Sequence, residues 1–234
     1  MRDVSAEVEP NLRVLTGISQ ADRWPELRDA ALENVFDVAR SCADFTIIDC
    51  AGVLEADEEL SFDTTAPRRN AGTLTALAAA DTVYAVGAAD PIGLQRLLRG
   101  LDELREHVPG DSIRVVINKL RSSAVGPAPE RRVRASLARF GGLGDLVTVP
   151  DDRAACDQAL LRGLALRTAN RNSTARTAIH GLAAGLARDF GFSSRALQRV
   201  ADKQGGKMRE WGRLRSFRSM WRLRRAVRDI GAAE

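Results

Sequence analysis

The sequence is poor in the residues that staple small domains or hold metal centres. It has three cysteines, Cys42, Cys50 and Cys156, an odd number without CxxC or metal-ligand spacing. A disulfide scaffold is therefore excluded, and the three thiols fit a reducing cytoplasm as small core residues. Its two histidines, His107 before the Pro109-Gly110 break and His180 on an apolar-faced helix, have no clustered cysteine or glutamate partners. Neither suggests a zinc site. The longest apolar runs fall far short of the roughly 20 residues that a membrane span needs. Residues 1–11 are polar and acidic and do not read as a signal peptide. No internal repeat and no G-x-S-x-G elbow is visible. Lysine is scarce as well, at Lys119, Lys203 and Lys207 only among 35 basic residues, a bias of composition rather than of mechanism.

What the chain does have is a core. A hydrophobic fraction of 44% over 234 residues suffices for one α/β domain and a small appendage. The net charge of +4 is an average over two unlike parts. Between Lys207 and Ile230 nine basic residues face Glu210 and Asp229, a balance of +7, which leaves −3 for the rest. The basic character is a property of the tail. The expected division is therefore a domain over 1–192 and a linker with a basic helical tail over 193–234.

Apolar runs and helical spacings alternate along the domain. Leu12–Thr16 reads as a strand, and Pro25 as the opening of a helix to about Arg40 with Leu27, Ala31, Val35 and Val38 at helical spacing. Phe45, Thr46, Ile47 and Ile48 form a short apolar run that Asp49 ends, the pattern of a strand buried on both faces of a parallel sheet. Asn70 is placed to cap a short helix through Leu74 and Leu77. Strands are expected at 82–88, 113–118 and 146–149, and helices from Asp90-Pro91, over 129–140, over 153–162 and over about 173–189. Five strands alternating with helices predict a doubly wound, mostly parallel α/β sheet with flanking helices. The strand ends Asp49, Ala88, Asn118 and Val149 should then share one edge, where such sheets bind ligands.

A strand ending in Asp49, a strand ending Val116, Ile117, Asn118 and Lys119, and Val149-Pro150-Asp151-Asp152 opening a helix follow in an order that resembles the MinD/ParA family of deviant-Walker P-loop ATPases. The Glu55-to-Asn70 segment, with Asp63 and Pro67, looks closest to the CpaE-like branch. The resemblance spans about residues 12–190. It implies Asp49 as a Walker B carboxylate holding Mg²⁺ through water, Asn118 at the adenine edge, and Pro150 and Asp151 beside the base through their backbone. It also places Arg68, Arg69 and Asn70 in the switch region that senses nucleotide or touches a partner. Each residue has a plainer reading too. Asp49 caps the loop after a core strand, Asn118 is a strand-end turn residue, Asp151 and Asp152 favour a helix N-terminus, and Arg68 and Arg69 pair with Glu55, Asp57, Glu58 or Glu59.

The family's Gly-rich phosphate loop and its lysine are missing. Residues 1–48 contain no G-x-x-x-x-G-K-[ST] and no lysine, and Gln204-Gly205-Gly206-Lys207 has no strand before it and no Ser or Thr after it. A Rossmann dehydrogenase fares no better, since its G-x-G-x-x-G has no counterpart after Leu12–Thr16. Two functions remain. One is an ATPase that positions septum, chromosome-partition or pilus-secretion machinery, truncated at its start, with ATP and Mg²⁺ as cofactors and a homodimer or a family-type protein as partner. The other is a non-catalytic pseudo-ATPase scaffold.

The tail sets Trp211, Phe217 and Trp221 among Arg209, Arg213, Arg215, Arg218, Arg222, Arg224 and Arg225, the composition of an interfacial helix. Trp211, Leu214, Phe217 and Trp221 share one helical face and Met220, Leu223, Val227 and Ile230 another, so packing one face on the protein body is the competing reading. An anionic membrane surface is expected over DNA, because two tryptophans have little to bury into on a duplex. The expected location is cytoplasmic, peripheral at the inner face of the cell membrane.

Overall fold

A computed structural model of the chain describes residues 4–9, 11–18, 20–55, 70–143 and 145–192. It forms two compact units, one up to Ala178 and the other from Ile179 on. The first opens with a short antiparallel ribbon, β1 (Ala6–Glu9) and β2 (Leu12–Val14), whose register slips between Glu7 and Glu9. Helices α1 (Asp29–Cys42) and α2 (Ala71–Ala79) follow and pack on each other. Next come β3 (Val83–Ala88), α3 (Pro91–His107), β4 (Ile113–Leu120), the short α4 (Ser122–Val125), α5 (Pro129–Gly141), β5 (Val147–Pro150), α6 (Arg153–Arg162), α7 (Leu166–Ala169) and α8 (Thr174–Asp189).

The sheet is parallel with the strand order β3-β4-β5, so β3–α3–β4 and β4–α5–β5 are two successive crossover units. Their helices begin where the sequence puts them. Asp90 caps α3, its Oδ1 accepting from the Gly93 amide at 2.8 Å, and Pro91 stands at the first helical turn. The α3 face that repeats Leu97, Leu101 and Leu104 is buried against Val83, Val115, Ile117, Val133 and Leu137. Gly87 lets this helix close on β3, since a Cβ there would lie 2.8 Å from the Leu97 side chain. Among the described residues no helix is long and apolar enough to cross a membrane.

The fold class is the expected mixed α/β, but its strand count is not. Leu12–Val14 pairs in the antiparallel ribbon, outside the parallel sheet. Phe45–Asp49 forms no strand, and Ile47 is 91% exposed. An apolar run sets the tendency to be buried, while strand hydrogen bonds need a neighbour to complete them. Helix α1 starts at Asp29, with Pro25 inside a separate 3₁₀ turn over Ala21–Glu26. Its inward stripe is Leu32, Val35, Phe36 and Ala39, while Val38 is exposed. The cysteines also depart from expectation, for Cys42, Cys50 and Cys156 are all exposed. They lie at a helix end, in a loop and on the outer side of α6.

From Ile179 the second unit is described as far as Phe192. It contains the end of α8, which Gly191 closes with a φ of 76° while the Phe192 amide donates to the Ala187 carbonyl at 2.7 Å.

Candidate functional site

The polar residues of interest gather where β3, β4 and β5 end. Ala88 lies opposite Asn118, and Leu120 opposite Pro150. The turns after the strands are stitched to one another. The Ala89 amide donates to the Asn118 carbonyl at 2.9 Å, and the Asp151 amide to the Leu120 carbonyl at 3.0 Å. Asn118, Pro150 and Asp151 thus share the carboxyl edge of neighbouring strands, the region where open parallel sheets bind ligands.

Each of these side chains already has local work. Asn118 Oδ1 accepts from the Lys119 amide at 2.8 Å, with Lys119 in the left-handed region at φ 56°. Among the described residues the Asn118 amide nitrogen has no hydrogen-bond partner. Asp151 is 11% exposed, and its Oδ2 lies 3.4 Å from both Arg121 Nη1 and Arg153 Nε. Two guanidiniums around one shielded carboxylate leave this part of the edge net positive.

Asp152 has a different task. It caps α6 by accepting from the Ala155 amide at 3.3 Å, and its Oδ2 accepts from Ser173 Oγ at 2.7 Å and the Thr174 amide at 3.0 Å. One carboxylate therefore joins the start of α6 to the start of α8. The Ser173 hydroxyl first, and then the Ala155, Thr174 and Ala175 amides, hold its carboxyl below the usual carboxylate range. Sequence reading missed this junction, although Ser173 before a helix is an N-cap signal and its Oγ accepts from the Arg176 amide at 3.1 Å.

Asp49 is not brought to this edge by a strand. It sits in an exposed, irregular stretch. Its charge adds to the partial desolvation that pushes the neighbouring, still accessible Cys50 thiol up. Asn70 occupies the N-cap position of α2 but caps nothing with its side chain. Its Nδ2 donates instead to the Glu55 carbonyl at 2.7 Å and ties down the far end of that stretch. Arg68, Arg69 and the whole tail, Arg209 to Arg225 with Trp211, Phe217 and Trp221, lie outside the described residues.

The stretch around Asp49 is anchored at both ends. Arg40 bonds Asp81 at 3.1 Å and also donates to the Ala79 carbonyl, which fixes the end of α1 beside the start of β3. Leu54 re-enters the core cluster with Val83, Ala89 and Leu97. Among the described residues the outer edge of β3 has no pairing strand, and Val86 on that strand is 59% exposed.

A nucleotide fits this edge only in part. The β4 and β5 ends offer an amide donor and backbone groups suited to a base. The phosphate half does not fit. Residues 1–48 carry no lysine and no Gly-rich loop, and Asp49 stands on no strand end.

Fold and edge together define a parallel α/β protein with its polar residues collected at the carboxyl ends of the strands. More particularly, the fold is shared with a ParA family ATPase from Chlorobium tepidum TLS, at a TM-score of 0.61 and 16% identity. The match covers 76% of this chain and 66% of that one. No protein-family model matches the sequence, and no curated protein matches it.

Proposed function

We propose that the chain is the later part of a MinD/ParA-type ATPase, nearest the CpaE-like branch, that positions septum, chromosome-partition or pilus-assembly machinery. Its phosphate loop and lysine would come from a preceding strand and helix outside these 234 residues. One observation carries the reading. An apolar run built for burial, with Ile47 exposed, forms no strand, and among the described residues no strand pairs with the outer edge of β3. A strand added to that edge would give both what they lack. With that strand in place Asp49 would stand at a strand end and serve the Mg²⁺ of ATP, while Asn118, Pro150 and Asp151 would meet the base. The likeness to the ParA family ATPase supports the fold this requires.

Mg-ATP titration by calorimetry, paired with the reading frame upstream of Met1, tests the proposal. The chain as it stands is expected to bind no nucleotide. The version extended through an in-frame strand, Gly-rich loop and lysine should bind at micromolar levels, and Asp49→Ala should abolish that binding. A stop codon directly before Met1 would overturn the reading in favour of a pseudo-ATPase scaffold. The absent loop is the feature that favours that alternative.

We further propose that residues 207–230 attach the protein reversibly to the inner face of the cell membrane. Each basic residue near an anionic leaflet contributes about 1 kcal/mol, so several together suffice. Co-sedimentation with anionic vesicles should be lost in a 1–204 truncation and be weak with neutral vesicles. Equal sedimentation of both proteins, or a tail that shifts DNA and ignores lipid, would refute it.

A further inference from the structure

On the helical side of the sheet, α3, α4 and α5 enclose a groove of ≈ 660 Å³ whose lining includes Leu94, Leu98, Val125, Val133 and Leu137. It is apolar at its base and does not close over at its ends. Phe140, on the wall, is 70% exposed, and Ile92, on the adjoining turn of α3, is 64% exposed. The helices meet tightly beside it, because a Cβ at Gly141 would lie 2.6 Å from Leu98 Cδ2. A concave channel between two rigid helices suits the apolar stripe of a third helix and cannot admit a flat bilayer.

The rim adds a sign. Arg132 lines the groove, Arg139 lies seven residues further along α5, and its guanidinium sits 5.2 Å from the centre of the Phe140 ring. Arg99 stands four residues after the groove-lining Gln95 on α3. Among the described residues none of these three arginines has an ion pair. Two of the nearby carboxylates are engaged elsewhere. Glu130 bonds Arg134 at 3.0 Å, and Asp102 bonds Arg105 at 2.9 Å. Glu103, one turn after Arg99, is the carboxylate left near the α3 rim.

We propose that this groove is the docking site of a protein partner that supplies an acidic amphipathic helix. The partner's leucine or phenylalanine side chains at i, i+3, i+4 and i+7 would fill the channel beside Phe140, and its flanking glutamates would meet Arg132, Arg139 and Arg99. The chain's own tail is the wrong occupant, because its nine basic residues would face three like charges. Its lining residues are distinct from Asn118, Pro150 and Asp151.

The test uses two synthetic helices of about 15 residues, roughly four turns, identical in their apolar stripe and flanked by glutamate in one and lysine in the other. Fluorescence anisotropy on the full chain should show binding of the acidic helix and none of the basic one. Phe140→Ala and the pair Arg132→Glu with Arg139→Glu should each weaken the acidic helix by at least about tenfold. The charge-reversed pair should gain affinity for the basic helix, while its circular dichroism matches the parent. Equal binding of both helices, no binding of the acidic one, or affinities unmoved by the variants would overturn the proposal.

Discussion

Asp152 shows how much one carboxylate can organise at the scale of a residue. It fixes the starts of α6 and α8 through the Ala155 amide, Ser173 Oγ and the Thr174 amide, and these donors hold its carboxyl below the usual range. Because the folded state favours the ionised form, the stability it supplies is fully present above the unfolded pKa of about 3.9. That contribution is lost as pH falls through the folded value. Asp152→Ala should therefore lower the melting temperature by a few degrees at pH 7. The gap between variant and parent should close on acidification, and a gap that persists below both pKa values would mean that Asp152 acts through packing instead. Asp151, which directly follows β5 while Asn118 lies on the neighbouring β4, is a different case, since its two arginine neighbours are partners that an arriving backbone or anion can share.

At the scale of an element, three glycines of the β3–α3 unit should answer the same substitution differently. A Cβ at Gly93 would lie 2.6 Å from the Ala88 carbonyl oxygen, and one at Gly87 would lie 2.8 Å from the Leu97 side chain, whereas Gly100 has nothing within 4 Å. Backbone yields less than a side chain. Gly93→Ala should accordingly cost the most, about 1–3 kcal/mol, and Gly87→Ala less. Gly100→Ala, within α3, should gain roughly 0.5–1 kcal/mol from helix propensity. Urea denaturation of the three variants checks the order, and a stabilising Gly93→Ala would show that α3 does not approach Ala88 this closely.

At the scale of the whole molecule the open edge of β3 dominates. An edge with no pairing strand among the described residues and with exposed Val86 is a template for pairing with other chains, and Ile47 is a second exposed apolar side chain. The protein should self-associate with rising concentration in sedimentation velocity. Val86→Lys should reduce that association without loss of helical signal, because charge on an edge strand opposes addition. A parent that stays monomeric at high concentration would show that the edge is covered. It would also weaken the reading that a strand is missing there.

The sequence by itself determined the βαβ units and their boundaries. Asp90-Pro91 before α3, the leucines along it, the valine-rich β4 and the Asp152 cap of α6 are local signals, and local signals specify helices and the strands that pack on them. It also brought Asn118, Pro150 and Asp151 to one edge, since that follows from parallel strands once the units are recognised. Only the tertiary structure decided the fate of Leu12–Val14 and Phe45–Asp49. Both read as strands because their residues tend to be buried or extended, yet pairing depends on which backbone lies alongside. The first found β1, and the second pairs with no strand among the described residues. The cysteines were misjudged for a related reason, as burial depends on which face of an element meets a neighbour. The junction of Asp152 with Ser173 joins residues 21 apart, and contacts across that distance are made by packing rather than by sequence spacing.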